Sequence, residues 1–142
     1  METKDTKARV AVIGELNVDI VASGLARPPE LGAEIIAADL EITLGSASAI
    51  FASGVSKLGH PVNFISKVGA DDYGRFCLEA LRNLGVSTDK IKLDEAAKTG
   101  VTLALSTRSD RALVTYLGTI STLRAAEIDL TELADCRHLH MT

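Results

Sequence analysis

The chain has 142 residues, of which 46% are hydrophobic and 24% charged; that length and balance fit a single folded domain with a modest core rather than a disordered segment. A net charge of −4 and scattered Lys and Arg exclude a nucleic-acid binder that works through basic charge, and equally a polybasic membrane patch. With no Trp and only 4% aromatic residues, a stacking platform for single strands is absent too.

No apolar run approaches the ~20 residues that cross a bilayer. Residues 1–8 read as a polar, frayed terminus without the apolar core of a signal peptide. Cys77 and Cys136 stand far apart and read as reduced, buried or half-buried thiols of a cytoplasmic protein. Arg9-Val-Ala-Val-Ile-Gly14 is a short apolar run closed by glycine, as in a buried parallel strand. Asn17–Ser23 continues extended, and Pro28-Pro29 forces a loop. Over 34–44 the residues Ile36, Ala38, Leu40, Ile42 and Leu44 share one parity, which predicts a strand with one covered face.

Ser46 to Leu58 predicts a helix of small residues, stopped by Gly59 and Pro61. Val62–Val68 is the next strand, and Asp71 or Asp72 caps a helix that runs to about Leu84. Two apolar runs, Val101–Ser106 and Ala112–Leu117, flank a polar tip and predict a β-hairpin. Leu123–Ala134 predicts a short helix. Arg137–Met141 begins a strand in which the chain stops, and that ending reads as a truncation. Strand and helix alternating in this order favour an α/β fold with a largely parallel sheet, from which 34–44 and 100–117 depart.

Gly14-Glu-Leu-Asn-Val-Asp19 lacks the further glycines of a dinucleotide-binding turn, and no Gly-Lys-Ser/Thr phosphate loop occurs. Asn17 and Asp19, two apart on an extended segment, share a face and suit vicinal hydroxyls, since Asp accepts while Asn both donates and accepts. An Asx turn with a helix cap explains the same pair. Gly45 through Gly59 offers backbone N–H groups at a helix start, or simply close helix–sheet packing. His138 and His140 alternate on a strand without a third ligand spaced for zinc, His60 reads as a loop residue, and Lys57 and Lys67 read as solvated ends of elements.

Gly45, Ala52, Leu58 and Gly59, with Ser56 as a further small residue, fall into register with Gly-Gly-x-x-x-Asn-x-Ala-x-x-x-Ala/Gly-x-Leu-Gly. That signature belongs to the ribokinase-like (PfkB) carbohydrate kinases, which the chain resembles. Gly14-Glu-x-Asn-x-Asp19, Val68-Gly-Ala-Asp-Asp-Tyr-Gly74 and Thr99-Gly-Val-Thr102 resemble three more of the family's segments, in the family's order. The resemblance implies an α/β/α three-layer sandwich with a small β-sheet lid, residues 1–142 being the N-terminal part and 34–44 and 100–117 the lid. It further implies ATP-dependent phosphorylation of a sugar or related hydroxyl substrate in the complete parent enzyme, with ATP and Mg2+ bound by residues outside this chain, and self-association as a homodimer through the lid. The substrate wall it assigns comprises Asn17, Asp19, Gly45, Ser46, Ala47 and Ile50. Two of these depart from the signature: Ser46 replaces its second glycine, and Ile50 replaces its asparagine, which removes a hydroxyl-directed amide. The Gly-Ala-Gly-Asp segment that carries the family's base is absent, so the chain alone is expected to be inactive. A non-catalytic sugar-binding or interaction module on the same half-fold is the alternative.

Overall fold

The computed structural model describes residues 8–142; the frayed terminus expected for 1–8 falls, Ala8 apart, outside them. β1 (Arg9–Ile13) buries every residue but the first, as a strand covered on both faces must. It lies inside a parallel four-stranded sheet in the order β5-β4-β1-β8, with β4 at Val62–Gly69, β5 at Ile91–Asp94 and β8 at Cys136–Met141. The α/β class read from the sequence is therefore present, although β5 was not foreseen; its four residues are too short to announce themselves by periodicity.

On one face, α1 (Ala47–Lys57) and α2 (Asp72–Asn83) pack onto Val10, Val12, Phe64 and Val68 through Ala49, Ala52, Cys77 and Leu81. The small residues of α1 serve that approach at Ser48, Ala49, Ala52 and Ser53, all buried, but not at Gly54, beside which a Cβ would meet nothing. Asp71, not Asp72, caps α2 by accepting from the Gly74 N–H at 2.8 Å, and Asp72 pairs with Arg75.

The opposite face is covered by three single 3-10 turns, Gly118–Ser121, Ala125–Glu127 and Leu130–Leu133, in place of the helix expected over 123–134. Local bonds compete with a helical ladder there: the Arg124 N–H donates to Glu127 Oε2, and Asp129 Oδ1 accepts from both N–H and hydroxyl of Thr131. This segment also corrects the reading of Lys67, which is buried and not solvated. Its position on β4 turns it under the 3-10 turns, where Nζ meets Glu127 Oε1 at 2.6 Å and donates to the Thr122 carbonyl at 3.2 Å.

A second four-stranded sheet has the order β3-β2-β6-β7, with β2 at Asn17–Ser23, β3 at Asp39–Leu44, β6 at Gly100–Ser106 and β7 at Arg111–Tyr116. The expected hairpin is β6–β7, antiparallel, while β2 and β6 run parallel. The strand expected over 34–44 is shorter, since 34–37 have no strand partner: β2 ends at Ser23, Gly24 turns with φ +74°, and the Ala38 N–H makes the last bond to Ser23 O. Nor is a face of this segment covered as expected, for Ile36 is 76% and Leu40 65% exposed.

The two sheets are tied by Asp71. Its carboxylate accepts from the Thr99 N–H and hydroxyl just before β6, and the same Thr99 hydroxyl accepts from the Gly69 N–H at the end of β4. Partial burial would raise this carboxyl, but the bonds from Thr99 and Gly74 outweigh it and hold the group below its ordinary value.

Candidate functional site

β1 and β2 are joined by Gly14-Glu-Leu16, so the chain passes from the main sheet to the second within one turn. Asn17 opens β2 buried, with Asp19 half-buried beyond it. The Asn17 Nδ2 donates to Asp19 Oδ1 at 2.9 Å and reaches Thr102 Oγ1 on β6 at 3.4 Å. An Asx turn was the competing explanation of this pair; both residues instead lie within the strand and bond to one another.

Gly45 crosses directly over them. A Cβ there would overlap Asp19 Oδ1 and Asn17 Nδ2, so only glycine leaves this approach open. Its N–H donates to the Asn17 carbonyl at 2.9 Å, which fixes the crossing. Ser46 follows with φ +81°, a conformation suited to glycine and costing a serine roughly 1–3 kcal/mol. Two bonds offset that cost: its hydroxyl donates to the Glu15 carbonyl at 2.5 Å and accepts from the Ala49 N–H at 3.2 Å, capping α1. The departure from the glycine signature at 46 thus keeps the glycine's backbone.

Ala47 begins α1 exposed, and Ile50 stands 65% exposed on its first turn, offering aliphatic surface and no polar group. Sequence reasoning therefore named three residues that the fold brings together, Asn17, Asp19 and Gly45, and three that follow along the start of α1. It missed Thr102 and Thr115, whose hydroxyls bond each other at 3.1 Å. Only strand register reveals them, because Asp19 pairs with Thr102 and Thr102 with Thr115 across the sheet. It missed Glu15 also, whose carboxylate accepts from the hydroxyls of Ser48 and Thr142. Those hydroxyls, helped by backbone N–H groups, outweigh the effect of burial and hold the Glu15 carboxyl below its ordinary value.

His138 and His140 lie beside Phe51, His140 stacking on its ring at 3.8 Å between centroids. Cys77 is buried and Cys136 half-buried, both free; burial, with the charges of Asp71 and Asp19, pushes the Cys77 thiol up to about 12. Among the described residues no three His, Cys, Asp or Glu side chains converge on a point where a metal would sit. No helix among them is long and apolar enough to cross a membrane.

The model of the pfkB family carbohydrate kinases matches residues 7–142. The chain belongs to the pfkB family of carbohydrate kinases. Among its relatives is a 5-dehydro-2-deoxygluconokinase of Clostridium botulinum, 29% identical over 132 residues, which are 92% of this chain and 37% of that protein. Among solved structures, the ribokinase of Cryptococcus neoformans in complex with ADP superposes with a TM-score of 0.79 at 26% identity, over 95% of this chain and 42% of that one. A sugar kinase of Pyrococcus horikoshii in complex with ATP gives 0.78 at 26%, over 93% and 42%. The ribokinase-like α/β fold is thus shared, and this pfkB-family chain spans well under half the length of these relatives.

Proposed function

We propose that this chain forms the substrate wall of an ATP-dependent kinase acting on a hydroxyl of a sugar or related compound, with the second sheet as its lid. The observation that carries this reading is the Asn17–Asp19 pair beneath Gly45. Asn17 occupies one oxygen of Asp19 and orients the carboxylate, while the other oxygen, Oδ2, makes no hydrogen bond within the described residues. Asp19 is only half-buried, so a substrate hydroxyl can donate to it as a charge-assisted bond.

In this reading the nucleotide supplies the phosphoryl group, and it and Mg2+ are held elsewhere, since the described residues contain neither a convergent donor set for a cation nor a phosphate-cradling loop. What these residues do is bind and orient: Asp19 accepts, Asn17 holds Asp19, and Ser46 fixes the backbone that leads into α1. Ile50, apolar where the family signature has an amide, favours a substrate with an aliphatic edge at that point. The apolar face of the lid, on which Leu40, Ile42, Val114 and Tyr116 are exposed, is where a second copy covers it in this proposal.

The test is Asp19→Ala in the full-length protein. Loss of one charge-assisted bond predicts a drop in kcat/KM for the hydroxyl substrate of roughly ten- to hundredfold, with KM for ATP unchanged. Wild-type kcat and KM in that variant would remove Asp19 from substrate binding.

A further inference from the structure

Strand register carries the site beyond Asn17, Asp19 and Gly45. Asp19 on β2 stands opposite Thr43 on β3 and Thr102 on β6, and Thr102 stands opposite Thr115 on β7. Directly opposed residues share a face, so one row of side chains crosses all four strands with Asp19 flanked by hydroxyls. The next row on the same face is Glu41, Val21, Ala104 and Leu113. The first cation on it is Arg111, opposite Ser106 and four residues from Thr115, or roughly 13 Å along the strand.

We propose that Thr102 and Thr115 determine specificity, and that the face they share with Asp19 selects an uncharged polyol, a neutral sugar or the sugar of a nucleoside, against a sugar acid. The inference rests on the substrate-wall reading of Asp19. The two hydroxyls share one proton in the bond between them; whichever donates, the other hydroxyl proton stays available, with lone pairs beside it. One donor and one acceptor suit a hydroxyl or carbonyl. A carboxylate, which only accepts, finds one donor there, faces the like charge of Asp19 one strand away, and meets Glu41 in the next row. Strands lie about 4.8 Å apart, so Asp19 and Thr115 grip oxygens roughly 10 Å apart at most, within reach of a sugar ring and its substituents. The Clostridium relative, by its name a kinase of a gluconate derivative, acts on an acid; this face predicts a different choice.

The experiment uses the full-length protein with D-ribose, D-fructose and adenosine as neutral probes and with D-gluconate and 5-dehydro-2-deoxygluconate as acids. The expected result is turnover of at least one neutral probe with kcat/KM above that of both acids. Thr102→Val and Thr115→Val each raise its KM about tenfold, the size of one lost hydrogen bond, with kcat and the KM for ATP unchanged. Thr102→Ser and Thr115→Ser, which keep the hydroxyl, stay near wild type. Preference for an acid, turnover of no neutral probe, or unaltered KM in both valine variants overturns the proposal, as does a serine variant no better than its valine counterpart. Asp19→Ala separates the two levels. If it loses activity while the valine variants do not, this inference alone fails; if it has no effect, the reading beneath it fails.

Discussion

In the main sheet, β1 buries all but its first residue and Phe64 on β4 is wholly enclosed, whereas in the second sheet β7 is paired along its length and leaves every residue exposed. Both are open four-stranded sheets with two edge strands each, so pairing is not what separates them. Cover is. The main sheet has α1 and α2 on one face and the 3-10 turns on the other, while the second sheet meets the body through Val18, Ile20 and Leu44 at its near end and leaves its outer strands, β3 and β7, largely exposed. Stability is therefore uneven across the molecule, with the second sheet at the lower end.

The largest effect that sharpens this contrast is on Phe64. Phe64→Ala empties the centre of the core and is expected to cost about 3–5 kcal/mol in denaturant unfolding of the full-length protein. Val114→Ala, on the exposed face of β7, is expected to change stability by less than about 0.5 kcal/mol. A loss at Val114 as large as that at Phe64 breaks the comparison, and one that shrinks as the protein is diluted identifies the cover as a second copy of the chain.

Next in size is the tie between the sheets. Removing the charge in Asp71→Asn weakens the bonds from Thr99 and Gly74 and is expected to cost about 2 kcal/mol at neutral pH. The sign follows from the lowered carboxyl. Its stabilisation is complete above the ordinary value of 3.8 and is lost as the pH falls through the lower folded value. Stability of Asp71→Asn should accordingly fall less steeply with acid than that of the wild type, and equally steep limbs would show that Asp71 does not carry this dependence.

The smallest effect concerns α1. Gly54 is exposed, helical and free of neighbours, so Gly54→Ala should stabilise by about 1 kcal/mol through helix propensity alone. A lower Tm in that variant would show that another part of the full-length protein rests on this side of α1.

Several elements were legible because their signals are local. The apolar run to Ile13, the cap at Asp71 or Asp72, the stop at Gly59, the polar tip of the β6–β7 hairpin and the family signature through Gly45–Gly59 all depend on residues a few positions apart. Asn17, Asp19 and Gly45 were nameable for the same reason. The alternation over 34–44 was equally local, and yet it overstated the strand, since pairing of 34–37 depended on where β2 would end.

What the sequence determined by itself was the class of fold, the family and the order of the elements apart from β5 and the 3-10 turns, because periodicity, caps and motif spacing are written along the chain. Only the tertiary structure decided that Lys67 is buried beneath 3-10 turns, that Ser46 holds a glycine's backbone with its hydroxyl, and that Thr102 and Thr115 continue the row begun by Asp19. The physical reason is common to all three. Each depends on which strand lies beside which and in what register, and such contacts join residues whose separation along the chain carries no periodic trace.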